Sequence, residues 1–222
     1  MRGRGKISVA KMDTLTFYDR ISGAYDLIAD ASEGACREQG LNDLDVGVGE
    51  QVLEIGFGTG HAITSLAAAV GPPGHVYGVE LSRGMLNVAR NRALSVNSTN
   101  VAFAIDDARA LCFPDAVFDA AFMSFTLELF DPADIPIVLA EVNRVLRPTG
   151  RLGVVGMDKT TPINTMTGIY GWLHRHFPHF VDCRPIDVVG SLKLAEFQVT
   201  RSATMFIWGL SVACAVGVKP RG

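Results

Sequence analysis

The chain has 222 residues, enough for one domain with a sizeable buried core. Hydrophobic residues make up 48% and charged residues 19%, with 23 glycines, which excludes disordered and fibrous classes. A formal charge of -3 supplies no overall basic field, so nucleic acid is not expected as a partner.

The chain opens on Arg2, Arg4 and Lys6 among glycines, and residues 1–12 read as a flexible tail ahead of a single domain over 13–222. No apolar run of a signal peptide follows. The four cysteines, Cys36, Cys112, Cys183 and Cys214, are scattered without a CxxC pair. Reduced thiols in a cytoplasmic protein are expected, not a disulfide or zinc framework.

Gln51 to Ile55 reads as the first buried strand, running into Gly56-Phe57-Gly58-Thr59-Gly60, with a helix beginning near His61. Glycine at every second position lets the chain turn sharply and a ligand approach bare backbone. The spacing is neither the GxGxxG dinucleotide fingerprint nor a P-loop. Val76 to Val79 is the second strand and ends at Glu80, with Leu81 beside it. An acid at that tip is placed to accept hydrogen bonds from both hydroxyls of a ribose.

Val101 to Ala104 is the third strand, followed by Asp106-Asp107-Ala108, where an acid can accept from an adenine amino group. Phe118 to Met123 is the fourth. A helix follows, with Ile135, Val138, Leu139, Val142, Val145 and Leu146 forming one apolar stripe. Arg144 and Arg147 fall in its last turns, and Pro148-Thr149-Gly150 ends it. Leu152 to Val155 is the fifth strand.

A long segment, 158–184, precedes a last helix expected from Pro185 to Ala195. Its His174, His176 and His179 lack nearby acids or cysteines, and no metal site is expected. Phe197 to Ser202 and Ser211 to Val218 are strand-like. The stretch from Ala203 to Val218 is shorter than the roughly 20 residues of a membrane span, and Gly209 divides it. Too few residues separate the two strands for a parallel crossover, so they should be antiparallel neighbours. The rhythm as a whole predicts a doubly wound α/β sheet with helices on both faces.

With these segments in order, the chain resembles the class I S-adenosylmethionine-dependent methyltransferases. The likeness is greatest to the branch of quinone-biosynthesis C-methyltransferases and small-molecule or phospholipid N-methyltransferases. It is carried by Glu54-Ile55-Gly56-Phe57-Gly58-Thr59-Gly60, Glu80, Asp107-Ala108, Phe118-Asp119 and the run from Glu141 to Leu152. The resemblance implies a Rossmann-like seven-stranded sheet of order 3-2-1-4-5-7-6 with strand 7 antiparallel. It implies S-adenosylmethionine as cofactor, leaving as S-adenosylhomocysteine, with Glu54 at the methionine end. Ser124 and Phe125 would line the methyl-donor side.

Tyr18 and Tyr25 lie in a Tyr-Asp…Tyr-Asp segment resembling the one with which relatives cover the cofactor, within a helical lid over 13–45. In this family a segment such as 158–184 roofs the acceptor pocket. Its Ile163, Met166, Tyr170 and Trp172 point to a small-molecule, quinone-like or lipid-like acceptor and allow peripheral membrane contact. Two departures stand out: Phe57 replaces a small residue, and Glu128 stands where many relatives carry histidine. Glu128 and His176 are the candidate proton acceptors, beside Tyr18 and Tyr25, for an acceptor that needs a base. The competing readings are a nicotinamide-dependent oxidoreductase and a non-catalytic cofactor-binding subunit. The glycine spacing and the antiparallel end argue against the first, and the intact Glu80 and Asp107 against the second.

Overall fold

The computed structural model describes residues 33–159 and 184–221. Its helices are α1 (residues 33–44), α2 (His61–Val70), α3 (Arg83–Ser95), α4 (Ile135–Val145) and α5 (Val188–Leu194), with a 3-10 turn at Leu127–Leu129. The strands are β1 (Gln51–Ile55), β2 (His75–Glu80), β3 (Val101–Ile105), β4 (Phe118–Ser124), β5 (Leu146–Met157), β6 (Gln198–Ile207) and β7 (Leu210–Val218).

These strands form one sheet in the order β3-β2-β1-β4-β5-β7-β6. The first five pair in parallel, while β7 runs antiparallel to both β5 and β6. The expected fold class and strand order are both observed. Central strands are apolar on both faces because helices cover both. On one face Leu53, Ile55 and Val154 pack against the stripe of α4 and against Val188 and Leu192 of α5. On the other, Val52, Phe122 and Val155 meet Cys36 and Leu44 of α1 and the apolar side of α2. Gly40 lets α1 approach closely, since a side chain there would run into Val155 and Phe122.

Three boundaries depart from the sequence expectation. The helical stripe predicts Arg147 in the last turn of α4, but α4 stops at Val145 and Leu146 is already extended (φ -75, ψ 140). Pro148 disfavours helical backbone at Arg147 and lacks an N–H, while Leu146 gains a partner in Phe118 of β4. Arg147 therefore belongs to β5, where its guanidinium pairs with Asp119.

The last helix begins at Val188 instead of near Pro185. Ile186 is held beside β5 by its N–H to the Met157 carbonyl (3.0 Å), and Asp187 then caps α5 through the Gly190 N–H (2.7 Å). The terminal strands are longer than predicted and meet in a two-residue hairpin at Trp208 and Gly209. Both carry positive φ (48 and 84), the backbone a tight hairpin with right-handed twist requires.

Candidate functional site

Strand order reverses between β1 and β4, so the loops after these two strands diverge and leave a crevice at the carboxyl edge. The glycine loop lies there. Gly56, Gly58 and Gly60 have φ of 69, 50 and 87, a region L side chains rarely adopt. The loop is anchored by the Gly56 N–H to the Val79 carbonyl (2.8 Å) and the Gly60 N–H to the Phe57 carbonyl (2.9 Å). Phe57 does not narrow the crevice. Its ring turns under the loop, edge-on to Phe103 at 5.2 Å, over Gly78, where a Cβ would meet it at 2.6 Å.

Two carboxyl groups define the electrostatics. Glu54, next to last in β1, is buried, and its Oε2 finds no hydrogen-bond partner among the described residues. Burial pushes it up to about 8, opposed by the charge of Arg37 on α1 and assisted by that of Glu80. Glu80 is oriented by backbone: its Oε1 accepts from Leu81 (2.7 Å) and Ser82 (3.0 Å), its Oε2 from Gly58 (3.2 Å). The acid at the tip of β2 is thus tied to the glycine loop and aimed along it. Ser82 goes on to cap α3 through the Met85 N–H (3.1 Å).

After β3, Asp106 folds its own loop back, accepting from Asp107 (3.0 Å) and Cys112 (3.1 Å). Asp107 is gripped by Arg109 through Nε (3.0 Å) and Nη2 (2.6 Å), and Arg109 Nη1 reaches Asp134 ahead of α4 (3.0 Å). Glu141 of α4 accepts from the Leu111 N–H (2.9 Å), and Arg144 donates to the Leu111 carbonyl (3.0 Å). The Arg144 guanidinium holds the Glu141 carboxyl below its ordinary range. The loop carrying Asp107 and Ala108 is therefore fixed from its far side by α4.

Beyond β4 the chain turns sharply at Phe125 (φ 50), whose N–H donates to the Val155 carbonyl (2.7 Å). Thr126 is buried, and its one hydroxyl proton lies within reach of the carbonyls of both Ser124 (2.9 Å) and Gly56 (3.3 Å), which brings this loop against the glycine loop. Glu128, in the 3-10 turn that follows, is also buried; its Oε1 accepts from the Met157 N–H (3.0 Å).

Glu54, Gly56 to Gly60, Glu80, Leu81, Asp107, Ala108, Ser124, Phe125 and Glu128 thus all lie at or beside the carboxyl edge. Tyr18, Tyr25, His176, most of the proposed lid and the roof lie outside the described residues. Sequence reasoning missed Arg37, Arg109, Thr126 and Gly156. Only Arg109 carried a local signal, two residues from Asp107; the others act on partners far away in the chain.

Residues 52–150 match the family model described as a methyltransferase domain. The chain is 32% identical over 170 residues to the ubiquinone/menaquinone biosynthesis C-methyltransferase UbiE of Paraburkholderia xenovorans, covering 72% of this chain and 69% of that one. It is 30% identical over 167 residues to the demethylmenaquinone methyltransferase of Anoxybacillus flavithermus, covering 73% and 70%. Among solved structures, a SAM-dependent methyltransferase from Aquifex aeolicus shares the fold with a TM-score of 0.66, at 20% identity over 92% of this chain and 97% of the other.

Proposed function

Given that the chain belongs to the class I S-adenosylmethionine-dependent methyltransferases, in the branch of the quinone-biosynthesis C-methyltransferases, we propose that it methylates a ring carbon of a small quinol-like acceptor. The observation that carries this reading is the identity to two quinone methyltransferases, each matched over more than two thirds of its length.

The residues present fit the cofactor. Glu54 leaves one buried oxygen without a partner at the switch point, where the amino end of the methionine moiety would supply one. Glu80, held at the tip of β2 by three backbone N–H groups, is the acid placed against the ribose hydroxyls in this reading. Asp107 and Ala108 offer the adenine edge, and Ser124 and Phe125 flank the methyl-donor side. When bound, S-adenosylmethionine supplies a methyl group on a sulfonium, already a good leaving group. The chain's main task is to hold the acceptor in line and exclude water. Tyr18 and Tyr25 close over the cofactor in this reading, the segment 158–184 covers an apolar acceptor, and His176 is a second candidate for handling a proton.

An apolar acceptor also favours an entrance that meets a lipid surface. No described helix is long and apolar enough to cross a membrane, and the contact proposed here is peripheral. The test is incubation with S-adenosylmethionine and reduced naphthoquinols lacking a ring methyl, followed by mass spectrometry. A product methylated on ring carbon supports the reading; transfer only to oxygen or nitrogen, or none, contradicts it.

A further inference from the structure

Glu128 occupies a position that its structural duty does not explain. Two residues before it, Thr126 touches the glycine loop; on its other side it meets the end of β5. β4 ends at Ser124, and the last β5 group served from that side by main chain is the Val155 carbonyl, which takes the Phe125 N–H. The next group along the same edge of β5, the Met157 N–H, is met by Glu128 Oε1 instead of by a strand. The carboxyl thus stands just past the end of β4, at the carboxyl edge where sheets of this kind bind ligands.

Capping one N–H needs only a carbonyl oxygen. Glu128 brings a second, Oε2, that is buried and without a partner among the described residues. Room for it is made by Gly156, where a Cβ would lie 2.9 Å from Oε2. A buried carboxyl with an unmet oxygen is costly, and such groups concentrate where chemistry is done.

We propose that Glu128 is the catalytic proton acceptor, its Oε2 receiving the hydroxyl proton of a quinol acceptor; this rests on the acceptor class given above. As the O–H proton passes to Oε2, the electron pair released into the ring forms the new carbon–carbon bond to the methyl group. The carbon–sulfur bond breaks with its pair on sulfur. The ring C–H proton then moves through solvent to the oxygen, restoring aromaticity and the hydroxyl, and Glu128 gives its proton to solvent, so one proton is released per methyl transferred. Burial pushes the Glu128 carboxyl up to about 7, against the pull of the Met157 N–H and its own backbone N–H. Among the described residues no charged side chain contributes to that shift. A base in this range is matched to reaction near neutrality.

The test uses the full chain with S-adenosylmethionine and 1,4-naphthoquinol kept reduced, comparing wild type, Glu128→Gln and Gly156→Ala. Glutamine can still cap Met157, so Glu128→Gln should bind S-adenosylhomocysteine as wild type does. Its turnover should fall about 100-fold or more, and the rise in rate through neutral pH should disappear. Gly156→Ala, which displaces only the end of a flexible side chain, should lower turnover with cofactor affinity unchanged. Independently of turnover, infrared titration of wild type with bound S-adenosylhomocysteine should show a buried acid C=O band, absent from Glu128→Gln, that moves when 1-naphthol binds.

Turnover in Glu128→Gln with the wild-type pH profile would overturn the proposal, as would a band indifferent to 1-naphthol. If Glu128→Gln fails to fold, the band and Gly156→Ala decide. A wild type that binds S-adenosylhomocysteine but does not methylate naphthoquinol would overturn the acceptor reading and the assignment together; loss confined to the variants leaves that reading standing.

Discussion

At the scale of one residue, Glu54 is a buried carboxyl with one oxygen lacking a partner among the described residues, and its titration is coupled to folding. Its carboxyl sits about 8 when buried, against an ordinary value of 4.5. The folded protein without ligand therefore keeps a proton that the unfolded chain has already lost. The contribution of Glu54 to stability is therefore fully present below about 4.5 and is lost as pH rises toward about 8. Glu54→Gln should flatten that decline in urea titrations across the same pH range. A cationic amino group brought beside Glu54 reverses the shift, so S-adenosylhomocysteine binding near neutral pH should release a proton. Calorimetry in buffers of different ionisation heat reads this directly, and Glu54→Gln should abolish it. Glu54 and Glu80 were legible in the sequence because Glu54 stands one residue before the end of β1, ahead of the glycine loop, and Glu80 ends β2. Thr126 was not: its hydrogen-bond partner Gly56 is 70 residues away, and nothing around Thr126 marks it.

Elements fix these residues through contacts that hydropathy does not encode. The Asp107 loop is held by Arg109, which spans to Asp134 ahead of α4. Arg109→Ala should cost about 1 kcal/mol or less in stability, because the pair is partly exposed. It should nevertheless weaken S-adenosylhomocysteine binding several-fold by releasing the loop proposed to meet adenine; unchanged affinity would show that the loop holds its shape without this link. The early stop of α4 has the same origin. The apolar period continues through Leu146, yet Pro148 and pairing with Phe118 take that residue into the sheet. Periodicity reports which face is buried, not which partner wins at a boundary. The hairpin at Trp208 and Gly209 is similar: Gly209 was visible, but tryptophan at a positive φ gives no cue in sequence.

For the whole molecule, alternation of apolar runs was enough to give five parallel strands and an antiparallel pair at the end. The lateral order of the strands came from the family resemblance, because crossover lengths do not say on which side of β1 the later strands add. The sheet is also the mechanical unit joining the two faces. Phe122 of β4 is fully buried, with Gly153 of β5 and Gly40 of α1 packed close against it. Phe122→Ala should cost about 3–5 kcal/mol. It should lower the urea midpoint of one cooperative transition that takes cofactor binding with it; separate transitions for α1 and the sheet would contradict a shared core.

In the proposed function the carboxyl edge, from the glycine loop to Glu80, seats the methyl donor. The most direct test is calorimetric titration with S-adenosylmethionine and S-adenosylhomocysteine, with Glu80→Ala alongside and NADH as competitor. If Glu80 accepts two charge-assisted hydrogen bonds from the ribose, as proposed, binding should be saturable, weakened at least about tenfold in Glu80→Ala and indifferent to NADH. No binding by the folded protein, or equal affinity in Glu80→Ala, would contradict it.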